Sequence, residues 1–372
     1  MQIFASRPTQ IMLWKCSNNM EQKVMGAFTA VILAITILMS CLLIYVPNMH
    51  IIALQVEDEK LSGGRISVMD MLRSSEEALQ EESAATRDSV LKGHQIRLTL
   101  PQNVTSASVS IDNIHVDKTI AITINGIGKD YFSNYPMRGA SNNIVDVTYD
   151  SENLVGVIEI TMDDVLEVQM TSEDEYIYFD FVDPHEIYDY VVVVDAGHGG
   201  NVPGATKQGV YEKDLNLDIV LELKKLFDRT DKNIGVYYTR TDDTNPSFEN
   251  RVGLANDSEA DLFLSVHNNS TASGRMSSIN GTEVMYEGGD TTGESKSFST
   301  LCLVHLLNEL GSKSKGTVVG DEVYIIRMSE PPVALVEVGF MTNQKELDLL
   351  QDSEYQAKAA KALYDAVIEY LY

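Results

Sequence analysis

The sequence predicts an α/β protein in which a mostly parallel central sheet flanked by helices is preceded by a small antiparallel β domain and an N-terminal transmembrane helix. Three observations carry that prediction. No charged residue interrupts the run from Val24 to Val46. Between His94 and Asp183, apolar residues recur at every second position. From Tyr190 onward, apolar runs alternate with amphipathic helical patterns.

The uncharged run has about the length of helix needed to cross a hydrocarbon core of roughly 30 Å. Arg7, Lys15 and Lys23 precede it against Glu21, whereas Glu57, Asp58 and Glu59 follow it. The excess of cations before the run puts the N-terminus in the cytoplasm and everything after about Pro47 outside. A cleaved signal peptide has a shorter apolar core and a small-residue cleavage site, which the ending Leu42-Leu43-Ile44-Tyr45-Val46 does not supply. The expectation is therefore a single-pass membrane protein with residues 1–23 as a cytoplasmic tail and 24–46 as the span.

Residues 47–93 read as a polar stalk with some helix, broken at Gly63-Gly64 and carrying Met69, Leu72, Leu79 and Leu91 as an amphipathic stretch. Residues 94–187 form the small β domain. Its period-two runs are Ile96, Leu98 and Leu100, then Ile120, Ile122 and Ile124, then Ile158, Ile160 and Met162, with turn signals at Asn125-Gly126 and Ser151-Glu152-Asn153. Residues 190–372 form the α/β domain. The runs Val191 to Val194, Ile234 to Tyr238, Leu262 to Val266 and Ala334 to Val338 are apolar on both faces, as strands covered on both sides must be. Helical patterns at Leu215 to Phe227, Phe298 to Leu310 and Tyr355 to Tyr370 supply that cover.

Charge excludes one large class of partner. With 55 acidic against 28 basic residues and a formal charge of −27, the chain lacks the clustered cations that phosphate-rich partners require, so nucleic acid is not a ligand. Of three cysteines, Cys16 and Cys41 lie in or before the apolar run, and Cys302 has helical spacing with Phe298, Leu301 and Leu306. No disulfide framework is available, and Cys302 reads as a buried small hydrophobe.

Ligands of such sheets bind beyond the carboxyl ends of the strands, and two histidines stand there. His198 lies in Asp195-Ala196-Gly197-His198-Gly199-Gly200, a glycine-rich turn directly after a strand, and His267 follows the run Leu262 to Val266. Each imidazole offers a neutral nitrogen to a metal, although a glycine turn is also an ordinary connection. Glu212 begins the next helical pattern, where an acidic residue complements the helix dipole without any further role. Glu337 interrupts the apolar strand Leu335-Val336-Glu337-Val338. Burying that charge is costly without a partner, so either Arg327 or Arg251 pairs with it or it serves as a general base for water activated by a metal. The tendency of buried carboxylates to gather at functional sites favours the second reading.

Together these segments resemble the zinc-dependent N-acetylmuramoyl-L-alanine amidases over about Tyr190 to Tyr372. The resemblance runs through Asp195 to Gly200, Tyr211 to Leu217, Thr239-Arg240 with Asp243, Arg251 with Ala255-Asn256, Ser265 to Asn269, and Glu337 to Asn343. It implies zinc held by His198, Glu212 and His267, with Glu337 as the catalytic carboxylate. The implied reaction is hydrolysis of the amide between N-acetylmuramic acid and L-alanine of the peptidoglycan stem peptide. Ala196 departs from a proline frequent in the family, without touching the implied ligands. Two other readings stay open: a zinc peptidase cutting elsewhere in the stem peptide, and a wall-binding protein that keeps the fold without turnover. The β domain, lacking any cluster of histidines, cysteines or paired carboxylates, is either a spacer or a wall-binding module.

Overall fold

Alternation of buried and exposed side chains builds the first part of the chain into two antiparallel sheets. One has five strands in the order β1-β6-β7-β4-β3, with β1 at Ile66–Ser67, β3 at Val109–Ile114, β4 at Thr119–Asn125, β6 at Ile144–Glu152 and β7 at Val155–Met162. The other has the order β5-β2-β9-β8, with β2 at Ile96–Thr99, β5 at Arg138–Gly139, β8 at Glu167–Glu173 and β9 at Tyr176–Val182. The predicted inward residues Ile96, Leu98, Ile120, Ile122, Ile124, Ile158 and Ile160 all lie in one apolar cluster shared by both sheets. Fully burying each such side chain contributes roughly 1.5–3 kcal/mol. The tight turn between β6 and β7 puts Asn153 and Leu154 at φ +52° and +61°, the two left-handed residues that a hairpin of this hand requires.

The computed structural model describes residues 66–70, 72–73, 77 and 89–372, so the expected tail 1–23 and transmembrane span 24–46 lie outside the described residues. Among those described, no helix is long and apolar enough to cross a membrane. Within the range read as stalk, Ile66 and Ser67 pair with Tyr149 and Thr148 at a sheet edge, and Val68 and Leu72 are buried in the sandwich core.

The second part is a six-stranded sheet in the order β13-β10-β14-β17-β15-β16. Its strands are β10 at Tyr190–Ala196, β13 at Ile234–Tyr238, β14 at Leu262–Asn269, β15 at Thr282–Tyr286, β16 at Ser314–Val319 and β17 at Val333–Phe340. A two-stranded hairpin, β11 at Thr206–Lys207 and β12 at Val210–Tyr211, stands apart from it. Helices α1 (Glu212–Phe227), α3 (Glu294–Leu310) and α4 (Ser353–Leu371) cover one face through Leu215, Ile219, Phe298, Cys302, Leu363 and Val367. Cys302 is thus core, as its spacing predicts. Helix α2 (Phe248–Asp257) covers the other face through Val252, Leu254 and Ala255, and Ile325 and Ile326 of a single helical turn pack there too.

The sheet is mixed rather than parallel throughout. β10 runs parallel to β13 and β14, β14 to β17, and β15 to β16, but β15 is antiparallel to β17. The reason is the connection: residues 270–281 between β14 and β15 contain no helix to carry the chain across the sheet, so the strand returns reversed.

The sandwich and the α/β sheet adjoin closely. Val165 joins the apolar cluster under α2. The His115 ring stacks on Tyr237 at 4.1 Å, the Tyr237 hydroxyl donates to Glu167 Oε1 at 2.7 Å, and Lys118 pairs with Asp257 at 2.6 Å.

Candidate metal centre and active site

Three neighbouring parallel strands bring their carboxyl ends to one place. β10 runs into the turn holding His198, β14 carries His267, and β17 carries Glu337 in register beside His267. The turn after β10 is conformationally expensive. His198 sits at φ +62°, a left-handed conformation that costs a non-glycine residue about 1–3 kcal/mol, and Gly199 and Gly200 beside it also have positive φ, at +134° and +51°. Gly197 has a different reason to be glycine: a Cβ there would lie 2.1 Å from His267 Nε2, so only a bare backbone lets the imidazole lie against the turn.

Glu212, in the first turn of α1, reaches back between the two rings. Its Oε1 lies 3.1 Å from His198 Nε2 and 2.9 Å from His267 Nδ1, and the rings stand 4.8 Å apart at 79°. The other carboxylate oxygen accepts from the Ala205 amide at 2.8 Å. Burial opposes ionisation of Glu212, but hydrogen bonds from both histidines more than offset it and hold the carboxyl well below the usual range. Behind it, Asn216 donates to the Gly197 carbonyl at 3.0 Å and Asn268 donates to Asn216 at 2.9 Å, which ties α1, the turn and β14 together. His198, Glu212 and His267 each offer a ligand atom, all within 4.8 Å of one another. Two imidazoles and one carboxylate are a donor set that suits a divalent metal with a position left open.

Glu337 lies in the same cleft, a hollow of about 720 Å³ that His198, Glu212 and His267 also line. Its Oε2 is enclosed and has no hydrogen-bond partner. Burial pushes its carboxyl well above the usual value, and the negative charges of Glu212 and Glu283 push in the same direction. Neither arginine weighed as its partner forms an ion pair with it. Arg327 donates to the Asp321 carbonyl at 2.9 Å, and Arg251 pairs with Asp195.

That second pair is a feature the reading of single residues passed over. Asp195, 1% exposed, accepts from Thr239 Oγ1 at 2.7 Å and from Ser265 Oγ at 2.6 Å as well as from Arg251. Arg251 also donates to the carbonyls of Ala196 at 2.9 Å and His198 at 2.7 Å, and Arg240 donates to those of Ala196 at 2.8 Å and Gly197 at 3.0 Å. The two arginines thus hold the histidine turn by its backbone. Asp195 directly after four valines in β10 is the available signal.

The fold and the site define a class: an α/β protein that presents a His-Glu-His ligand group and a carboxylate with one enclosed, unpartnered oxygen at the carboxyl ends of a sheet. Residues 192–369 match the N-acetylmuramoyl-L-alanine amidase family. The chain is similar to the uncharacterized protein YqiI of Bacillus subtilis (strain 168), with 35% identity over 180 residues that cover 48% of this chain and 84% of that protein. It is also similar to N-acetylmuramoyl-L-alanine amidase LytC of the same organism, with 33% identity covering 48% of this chain and 35% of LytC, so the chain spans about a third of that relative. Among solved structures, the catalytic domain of CwlV, an N-acetylmuramoyl-L-alanine amidase from Bacillus (Paenibacillus) polymyxa var. colistinus, matches at 34% identity and a TM-score of 0.45, covering 49% of this chain and 98% of that one. The chain belongs to the N-acetylmuramoyl-L-alanine amidase family.

Proposed function

We propose that the chain hydrolyses the amide joining the lactyl group of N-acetylmuramic acid to the first L-alanine of the stem peptide, with zinc held by His198, Glu212 and His267 and with Glu337 as catalytic carboxylate. The observation that carries this reading is the enclosed, unpartnered Glu337 oxygen in the cleft of the ligand group. A carboxylate kept there without an ion pair costs stability, and a proton-transfer role explains its retention. The names borne by LytC and CwlV support the substrate.

When bound, zinc supplies Lewis-acid chemistry that polarises the scissile carbonyl and makes water acidic enough to ionise near neutral pH. Glu337 takes the proton of the attacking water and delivers it to the nitrogen of the departing L-alanine. Glu212 is held ready by the Ala205 amide, and His267 by its seat on Gly197, so little reorganisation precedes reaction. The Arg251 and Arg240 contacts to the turn orient His198 from behind.

The uncharged run 24–46, with cations before it and carboxylates after it, supports single-pass anchoring in the cell membrane with the active site outside, on the side where peptidoglycan lies.

The test is digestion of purified peptidoglycan by the full chain, with products identified by mass spectrometry. Free stem peptides beginning with L-alanine are expected, and they disappear with Glu337→Gln or a zinc chelator. Cleavage only between amino acids makes the protein a peptidase instead, and release that survives both controls overturns the assignment of the site.

A further inference from the structure

Two clefts share the loop Asn245-Pro246-Ser247, and their chemistry differs. The cleft that holds His198, Glu212, His267 and Glu337 is apolar away from them, walled by Val202, Phe248, Met285, Ile325 and Leu335. The second, of about 680 Å³, lies between the sandwich and β13, the edge strand of the α/β sheet. Asp112, Asn113 and Asp117 from the sandwich and Thr241, Asp242 and Thr244 from the loop after β13 line it, beside the Arg240 guanidinium and the rings of His115 and Tyr237. Asn245, Pro246 and Ser247 line both clefts, so one loop separates them.

The walls of the second cleft are fixed in place. The stack of His115 on Tyr237 and the ion pair of Lys118 with Asp257 hold its two sides together, and Asn250 donates to Asp117 Oδ1 at 3.3 Å across it. A ligand entering it meets a preformed site and need not order the walls. Asp112 and Thr241 are exposed, and among the described residues their side chains have no hydrogen-bond or ion-pair partner. They are donors and acceptors in waiting.

The substrate of the reaction proposed above also has two unlike arms. From the scissile amide, one arm is a glycan of N-acetylated, hydroxyl-rich and largely uncharged sugars, and the other is a peptide that starts with an alanine methyl and carries carboxylates further along. We propose that the cleft between the sandwich and β13 is the glycan subsite, binding the β-linked N-acetylhexosamines that flank the muramic acid under attack. Sugar hydroxyls donate well to carboxylates, in bonds stronger than neutral ones. The acetamide matches the Thr241 hydroxyl and the Asn113 side-chain oxygen, the Asn113 amide nitrogen donating to the Leu166 carbonyl at 2.8 Å. The alanine methyl that begins the peptide arm matches the apolar walls of the first cleft instead. This assignment rests on the amidase reading of the metal centre, and it makes the sandwich part of the substrate site, where the sequence alone left it a spacer or a wall-binding module.

The experiment has two arms. The full chain with Glu337→Gln is titrated with a tetramer of β-1,4-linked N-acetylglucosamine by calorimetry, alone and with Asp112→Ala and Thr241→Val added. The tetramer is expected to bind, and the added pair to weaken it at least ten-fold at an unchanged melting temperature. In the chain with Glu337 intact, the ratio of kcat/KM on stem-bearing glycan chains to kcat/KM on a single muramoyl peptide is expected to fall by a similar factor. Equal tetramer affinity with and without the pair, no tetramer binding, or an unchanged ratio overturns the proposal, as does displacement of the tetramer by free stem peptide. The titration needs no turnover. Tetramer binding by a chain that releases no L-alanine peptides therefore overturns the amidase reading and keeps the sugar site, whereas turnover without tetramer binding does the reverse.

Discussion

Asp195 and Glu337 stand near the ends of β10 and β17, on either side of β14, and each interrupts an apolar run, yet their surroundings are opposite. Asp195 is saturated: Arg251, Thr239 and Ser265 all bond to it. Glu337 has an enclosed oxygen with no partner. A buried charge with a full set of partners fixes structure, because removing either member strands the other. A buried charge without one destabilises the fold, and its presence needs a reason in chemistry. Position in an apolar strand marks a carboxylate that needs a cause, and the groups bonded to it decide between structure and chemistry.

The largest expected effect concerns the ligand group between these two strands. Glu212→Gln removes the charge that both histidines share, and metal affinity measured by chelator competition should fall by more than the roughly 10- to 100-fold that loss of an outer partner costs. Unchanged affinity would remove Glu212 from the ligand set. Next comes the saturated carboxylate. Asp195→Ala leaves the Arg251 guanidinium buried without its counter-charge, and chemical denaturation should show a loss of about 3–5 kcal/mol. A loss below about 1 kcal/mol would mean that the pair is not the structural element its geometry indicates.

The same contrast has a pH signature. Burial works against ionisation of Asp195, but Arg251, His267 and its hydroxyl donors hold the carboxyl below its ordinary value in the folded chain. A depressed folded value contributes stability that is present above the unfolded value near 3.9 and is lost as pH falls through the folded one. The acid limb of a pH–stability profile should therefore flatten below about pH 4 in Asp195→Asn relative to the unsubstituted chain. The smallest effect lies at the junction of sandwich and sheet, where Tyr237→Phe deletes the hydroxyl that donates to Glu167 and should cost about 1 kcal/mol. Thermal denaturation measures it, and no change would show that stacking with His115 alone maintains that contact.

Much of the α/β sheet was legible because β10, β13, β14 and β17 are buried on both faces and leave long apolar runs. β15 and β16 left no such mark. Thr282 and Glu283 break the first, and the second is an edge strand with exposed Ser314 and Lys315, so neither reads as a run. β1 is two residues long, too short to show a period. At the site, His198, His267 and Glu337 were visible from their places at strand ends or within one. Glu212 was not, since a carboxylate in the first turn of a helix looks the same whether or not two imidazoles face it. Nor could the partner of Glu337 be settled, because Arg251 lies 56 positions from Asp195 and pairing at that distance obeys no local spacing rule.

The claim that Glu337 is kept for chemistry is tested most directly by measuring turnover on peptidoglycan and the melting temperature on one preparation of the full chain carrying Glu337→Gln. Turnover should fall by about 10²- to 10⁴-fold while the melting temperature stays level or rises, because the enclosed Glu337 oxygen has no partner for the substitution to remove. Retained turnover together with a melting temperature several degrees lower would contradict it, and would place Glu337 with Asp195 among the residues that hold the fold.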